Sequence, residues 1–524
     1  MPLKTLGVFL LLASRLNFIM GAVVFNWPDP FLDTLEDQLY RLGFSSASGF
    51  ALNCAARQDT TIAAQWLRLA YHDAATHNST TGTGGLDASI AFEFTRAQDV
   101  GEGMLASLGD FLGVQNQYVG MADTIAMGAI NAVIGCGGPV IPFRGGRIDA
   151  TEAGPATVPE PQQDLDSHIA SFQTQGFNET EMIALVACGH SLGGVRQVDF
   201  PLIVTEDVPT GVQNFASNVG FDNTVVHEYL NSTTENVLVV GSNITTRSDL
   251  RIFSSDGNVT MQSLASPDTF NEVCADLIGR MINTVPSTVT LTDPIEPFDF
   301  KVWNTHLFPQ GGSLAFLATL RIIETGANRT VTMFWKERTG TFCPTEGCSI
   351  APFQVESEVP SLYGQLKGVT AFILHSFNAS IDLVTSISHF WFEINDNDGS
   401  APFIVDNNGA NYTIDQDVLL YDPRRTIATF ASQPVVVVGV KDSSTSTNVT
   451  ALSMIANPIL DSDPGVPLPI NITTVFELDS SNPPADGYTF YSAPIVNTLD
   501  NTIRTTVNGT AYSLWVRFLT AAGV

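Results

Sequence analysis

Arg68 and His72 stand four residues apart in the run Thr60-Thr61-Ile62-Ala63-Ala64-Gln65-Trp66-Leu67-Arg68-Leu69-Ala70-Tyr71-His72-Asp73. On a helix that spacing puts a guanidinium and an imidazole on one side, where both can reach a small ligand held over a metal. Heterolysis of a peroxide O–O bond needs such a pair. The imidazole takes a proton from one oxygen and returns it to the other, while the fixed positive charge stabilises the negative charge that grows as the bond breaks. The run carries its own helix signals: Thr60 or Thr61 can cap it, and Trp66, Leu69 and Ala70 give it an apolar face.

A second helix is predicted to open at Asn178, with Glu181 placed to complete a capping box, and to run through Met182 to Ser191 before Gly193-Gly194 stop it. His190 then lies near the C-terminal end. An imidazole that ligates iron needs an acceptor for its other nitrogen, because a carboxylate there fixes the tautomer and makes the ligand electron-rich.

At these residues the chain resembles the plant, fungal and bacterial haem peroxidase superfamily, and the secreted fungal members in particular. The family's distal motif, Arg-x-x-aromatic-His-Asp, is present as Arg68-Leu69-Ala70-Tyr71-His72-Asp73, and Ala187-Cys188-Gly189-His190-Ser191-Leu192-Gly193-Gly194 is similar to its proximal motif. The resemblance implies haem b, with His190 as axial ligand, Arg68 and His72 on the peroxide side, and Tyr71, Glu93, Arg147 and Pro159 along the cofactor. Asp256, in Ser255-Asp256-Gly257, resembles the family's partner for the axial imidazole. Gly84-Gly85-Leu86-Asp87-Ala88-Ser89 is similar to a loop that binds calcium with the Asp after the distal His, which makes Asp73, Gly85, Asp87 and Ser89 the expected ligands. Ser191 and Asp222 resemble part of a second, proximal calcium site. The resemblance also pairs Cys54 with Cys136, leaving Cys188 for Cys274.

The departures from the family pattern are informative. Asp99 stands where the family has an Asn that orients the distal His, so a carboxylate is expected to raise the His72 pKa and move the acid limb of peroxide activation to higher pH. Phe215 occupies the place of a further Asp of the proximal calcium site. Manganese-oxidising members carry carboxylates where this chain has Thr61, Gln65 and Arg196, and lignin-oxidising members carry a surface Trp where it has Leu185. The expected donors are therefore small phenols or similar molecules, oxidised at the haem edge in one-electron steps.

The elements that must hold these residues occupy about half of the 524 positions. Up to about residue 285 apolar residues recur at helical spacing; after Pro286 short runs rich in Val, Ile, Phe and Thr alternate with Gly, Pro, Asn and Asp turns. The expected fold is a mainly α haem-peroxidase domain over residues 23–290, followed by an all-β, sandwich-like region over 296–524, with Leu291 to Pro297 as linker. His306, His375 and His389 are scattered through that second region and are read as structural. It is expected to bind a wall polymer or protein partner, or to cap the first domain.

The opening residues read as a secretory signal over 1–22: Lys4 gives the positive start, Leu6 to Leu12 the apolar stretch, and Gly21 and Ala22 small residues for cleavage. Eleven Asn-x-Ser/Thr sites, among them Asn78, Asn178, Asn243, Asn328, Asn448 and Asn508, fit an extracellular glycoprotein. Six cysteines without paired metal-ligand spacings favour three disulfides, with Cys343 and Cys348 close enough to close a small loop. A net charge of −30 argues against a nucleic-acid partner. The rival to a secreted enzyme is a non-catalytic glycoprotein that keeps the fold for binding or cell-surface structure.

Overall fold

The computed structural model describes residues 25–42, 50, 54–324, 328–340, 343–345, 347–429, 432–441, 448–457, 468–495 and 500–517. The expected signal segment lies outside them. Among the described residues, helices and four strands of two or three residues occupy the first part as far as Pro267–Ile282, and the long strands begin with Phe300–Gln310.

The helical part is organised around Met121–Gly135, in which every residue from Met121 to Ile134 is buried. A helix that is apolar all round belongs in a core, and the helix that carries Arg68 and His72 packs on it. Glu102–Phe111 packs on it as well, and Gly128 permits that contact: a Cβ there would fall 2.3 Å from the Phe111 ring. Ile62–Ala74 lies against this helix, and its Trp66, Leu69 and Ala70 are all at most 1 % exposed. Its N-cap is Thr61, whose hydroxyl accepts from Ala64 N at 3.2 Å. Glu179–Gly189 carries the expected capping box, with Glu181 N donating to Asn178 Oδ1 at 3.0 Å and Asn178 N to Glu181 Oε2 at 2.9 Å. The helix ends at Gly189, so His190 is the C-cap residue.

The β-rich part contains two sheet pairs. The first pairs a sheet in the order Phe300–Gln310, Ser313–Ile323, Phe372–Ile381, Gln354–Glu358 with one in the order Phe403–Val405, His389–Asn395, Thr330–Lys336, Cys348–Ile350. Phe316, Phe377, Phe390 and Phe392 fill the space between them. The second pairs sheets built on Ser432–Lys441 and Val449–Asn457, around Val436, Val438, Val449 and Ile503. Alternate Val residues of Ser432–Lys441 face opposite sides, so Val437 joins the first core while Val436 and Val438 join the second.

Two features join the parts. Leu291 to Pro297 is not a free tether: Thr292 N donates to Gly145 O and Ile295 N to Phe143 O, both at 2.9 Å, and Ile295 is 1 % exposed. The first helix, Pro30–Tyr40, turns three carboxylates toward the strands. Lys301 Nζ lies 3.0 Å from Glu36 and 2.8 Å from Asp37; Arg321 pairs with Glu36; Arg517 reaches Asp33 at 2.5 Å, Asp37 at 2.7 Å and Asp500 at 3.0 Å. All seven side chains are at most 8 % exposed. The disulfides join Cys54 to Cys136, Cys188 to Cys274 and Cys343 to Cys348.

Candidate functional site

The stretch Gln98-Asp99-Val100 holds both residues of the distal pair. Asp99 Oδ1 accepts from Nδ1 of His72 at 2.7 Å, while the guanidinium of Arg68 donates to Gln98 O at 3.0 Å and to Val100 O at 3.1 Å. With Nδ1–H committed, the lone pair of His72 sits on Nε2, which makes no hydrogen bond among the described residues. Burial, reinforced by the Arg68 charge, pulls the His72 pKa down to about 4, although the Asp99 carboxylate pulls the other way. The expected effect of Asp99 is thus present in direction and outweighed in sum. Burial also brings Arg68 down to about 10, which leaves it charged at neutral pH.

The proximal residue has a different partner from the one expected. Nδ1 of His190 donates to Asp249 Oδ2 at 2.7 Å. That oxygen also accepts from Asn236 Nδ2 at 2.8 Å, and Asp249 Oδ1 accepts from Ser248 Oγ at 3.2 Å. Asp256 instead caps the following helix, accepting from Thr260 N at 2.9 Å and Thr260 Oγ1 at 2.6 Å. The reason is periodicity: Asp249, Ile252 and Phe253 are buried on one face of Ser248–Phe253, and Asp256 lies in the turn beyond. Nε2 of His190 makes no hydrogen bond among the described residues, and its side chain is 29 % exposed.

Phe215 stacks on the His190 ring, centroids 4.0 Å apart and planes 15° from parallel. The place at which the family pattern has a further carboxylate is thus taken up by a ring packed on the imidazole. Ser191 Oγ donates to Cys188 O at 2.8 Å, and Asp222 binds Thr224 N at 2.9 Å and the Asn218 amide, so each is satisfied by its own neighbours.

The two halves meet through the chain after His190. A Cβ on Gly193 would stand 2.8 Å from Ala64 Cβ, so this glycine, at φ +82°, lets the turn lie on the distal helix. Phe200 then places its ring centre 5.5 Å from the Arg68 guanidinium carbon.

Two residues expected at the cofactor are used elsewhere. All five N–H groups of Arg147 are spent on Asp123, Arg144 O, Ile282 O and Asn283, which makes it a structural tie. Glu93 is buried and accepts from Gly154 N at 2.7 Å and Arg96 Nη1 at 2.5 Å, fixing the 93–96 turn to the 154 loop. Tyr71 lies against Phe172, ring centroids 6.1 Å apart. Pro159 is half-buried in a segment that Thr157 ties to the end of the distal helix, its hydroxyl donating to Ala75 O at 2.8 Å.

The residues expected to bind calcium are neighbours in the structure. Asp73 is fully buried and accepts from Ala88 N at 2.7 Å, Ile90 N at 2.9 Å and Ser89 Oγ at 3.4 Å, and Asp87 accepts from Ser89 N at 3.1 Å. Gly85 O lies beside them, accepting from Thr76 Oγ1 at 3.2 Å. No basic side chain among the described residues pairs with Asp73, and burial followed by the Asp87 charge raises its pKa well above the ordinary carboxylate value. Buried oxygens of this kind have the chemistry that a hard cation requires of its ligands. Among the described residues no group of three or more His, Cys, Asp or Glu side chains converges as a metal site, so a cation here would rely on carbonyl and hydroxyl oxygens as well.

The same donor logic suits haem iron. A neutral imidazole, fixed by a buried carboxylate and presenting an uncommitted Nε2, is what an axial ligand requires. No helix among the described residues is long and apolar enough to cross a membrane.

Comparison with known proteins finds peroxidases over the same part of the chain. The family model described as Peroxidase matches residues 51–265. A WSC domain-containing protein of Arthroderma benhamiae is 36 % identical over 385 residues, covering 70 % of this chain and 52 % of its own. The peroxisomal L-ascorbate peroxidase 5 of Arabidopsis thaliana is 33 % identical over 129 residues, 24 % of this chain and 46 % of that one. The mitochondrial cytochrome c peroxidase of Cryptococcus neoformans is 31 % identical over 141 residues, 26 % and 37 % of the two chains. The chain thus spans about half the length, or less, of the relatives it matches. Through residues 51–265 it belongs to the plant and fungal haem peroxidase superfamily, with an additional all-β region following.

Proposed function

We propose that this protein is a secreted haem peroxidase that reduces hydrogen peroxide and oxidises small phenols or similar donors, one electron at a time. The observation that carries this reading is the pair of imidazoles, His72 and His190, each with Nδ1 held by a buried carboxylate at 2.7 Å and Nε2 left free. Haem, when bound through His190 Nε2, supplies the electrons that peroxide reduction requires. His72 Nε2, unprotonated above its pKa of about 4, receives the proton of incoming hydrogen peroxide and passes it to the departing oxygen, which leaves as water. Arg68, fixed by Gln98 O and Val100 O, supplies positive charge next to that event. Asp249 holds His190 in the tautomer that ligates. Asp73, Gly85, Asp87 and Ser89 would hold one calcium ion directly behind His72, stiffening the end of the distal helix.

Secretion is supported by three disulfides among the described residues and by sequons along the chain. In this reading the β-rich region docks the enzyme on a wall polymer or protein partner. The test is to load the purified glycoprotein with haemin and add stoichiometric hydrogen peroxide. A haem absorption band that changes with peroxide and is restored by a phenol is the expected result. A folded but colourless protein, or a band unaltered by His190→Ala, would overturn the reading. A haem-loaded protein inert to peroxide would favour a non-catalytic binding role instead.

A further inference from the structure

A cavity of about 250 Å³ lies where the N-terminal segment and both sheet pairs meet, far in sequence from the peroxide-side residues. That is close to the lower end of small-molecule sites, about 300 Å³. Its walls combine flat rings with short polar side chains. Trp27, Trp303 and Trp515 are half-buried here, and Asn304, Thr305 and Gln416 supply amide and hydroxyl groups.

The polar groups are presented by an irregularity in the strand Phe300–Gln310. Its register against Ser313–Ile323 shifts between Trp303 and His306, and Asn304 takes φ +51°. A bulge of this kind re-aims side chains, and here it turns Asn304 and Thr305 out of the ladder. Asn304 Oδ1 bonds His306 Nε2 at 2.7 Å, which leaves its amide N–H groups free of any bond to the described residues. Thr305 Oγ1 is buried and has no hydrogen-bond partner, a cost that a ligand hydroxyl would remove.

Charge decides the ligand class. Of the charged side chains lining the cavity, Arg517 is paired with Asp33 and Asp415 has no cation partner among the described residues, so an anion is disfavoured. Two of the ring faces already carry a guanidinium, Arg41 at 4.2 Å over Trp303 and Arg517 at 4.9 Å over Trp515, so a cation would meet like charge. Burial holds His306 down to about 4, and it adds no charge at neutral pH. A neutral ligand with both apolar C–H faces and many hydroxyls satisfies rings, amide and orphaned hydroxyl together.

We infer that this cleft binds a neutral saccharide, one or two sugar units stacked on the Trp rings and hydrogen-bonded to Asn304 and Thr305. The inference gives a ligand class to the docking role proposed above and rests on that role, not on haem chemistry.

The full-length protein, titrated without peroxide with the trisaccharides of β-1,3-linked glucose and of β-1,4-linked N-acetylglucosamine, tests it by tryptophan fluorescence. The expected result is a saturable change with at least one of them, weakened about tenfold or more in both Trp303→Leu and Asn304→Gly. Glycine keeps the positive φ that the bulge needs, so the second variant removes the amide without straining the fold. Circular dichroism of both variants checks that they fold. Absence of saturable binding by either sugar, affinity unchanged in the folded variants, or tighter binding of a plain phenol than of both sugars would each overturn the inference. Peroxidase activity is measured separately on the same samples, so loss of the sugar site and loss of the haem reading are distinct outcomes.

Discussion

Asp249 accepts the Nδ1 hydrogen of His190 at 2.7 Å, and Asn236 donates to the same carboxylate oxygen at 2.8 Å. The carboxylate is 1 % exposed, so its charge is felt by the imidazole with little screening from water. An axial imidazole backed in this way is a stronger electron donor than one hydrogen-bonded to a neutral group.

Exchanging this carboxylate for an amide separates it from its neighbour in sequence. Asp249→Asn is expected to raise the iron reduction potential of the haem-loaded protein and to slow its reaction with peroxide at least tenfold. Asp256→Ala should leave both unchanged and cost only about 1 kcal/mol of stability through the lost helix cap. Spectroelectrochemistry and thermal melts of the two variants check this. Equal potentials in wild type and Asp249→Asn would remove Asp249 from its role.

The distal carboxylate makes a prediction of opposite kind. Asp99 raises the His72 pKa, against the stronger lowering by burial and Arg68. Asp99→Asn removes the raising influence, so the acid limb of the peroxide reaction should move to lower pH, by about one unit if the lost interaction is about 1.4 kcal/mol. Stopped-flow rates from pH 3 to 7 would reveal it; superimposable profiles would mean that Asp99 and His72 do not interact.

Much of this site was legible from residue type and spacing. Arg68, His72 and His190 fall on helices whose caps, Thr61 and Asn178, were readable as such, because capping is a local interaction within three residues. Asp249 was missed because its contact with His190 spans 59 residues. The usable signal was its place on the buried face with Ile252 and Phe253. Arg147 was placed at the cofactor by resemblance alone, and only the tertiary structure shows Asp123 and Ile282 O consuming donors of its guanidinium. The strands were recognisable by composition, but their pairing order and the burial of Lys301 and Arg321 against the first helix follow from contacts across more than 260 residues.

Calcium removal probes the oxygen cluster around Asp73. Chelation should lower the thermal midpoint of the wild-type protein, and calcium at a hundredfold excess over its Kd should add about 2.7 kcal/mol of stability. Asp73→Asn is expected to abolish the difference between calcium-loaded and chelated samples. A wild-type melt indifferent to calcium would show that Asp73 is satisfied by Ala88 N and Ile90 N alone.

The carboxylates of the first helix make the two parts of the chain interdependent, and acid should expose this. Asp33, Glu36 and Asp37 are buried beside Lys301, Arg321 and Arg517. Burial raises the pKa of all three, but for Glu36 and Asp37 the surrounding cations win and the pKa is lowered; for Asp33 burial wins and it is raised. Glu36 and Asp37 therefore contribute stability that is fully present above the unfolded carboxylate range, about pH 4, and is lost as pH falls through their lower folded values. Asp33 acts in the reverse sense, its contribution fading as pH rises through its folded value, and softens the acid loss. Lys301→Met removes a cation from both Glu36 and Asp37 and leaves buried negative charge uncompensated, a cost of about 3–5 kcal/mol at neutral pH. Its folded carboxylate pKa values rise, so its deficit relative to wild type should shrink on acidification from pH 7 to 4. Deleting residues 296–524 strands all three carboxylates at once, and the remaining helical part should aggregate or melt well below the full chain. Denaturant titrations across that pH range decide the matter: a Lys301→Met deficit independent of pH, or a truncated chain as stable as the whole, would mean that the charge cluster does not couple the helical and β-rich parts.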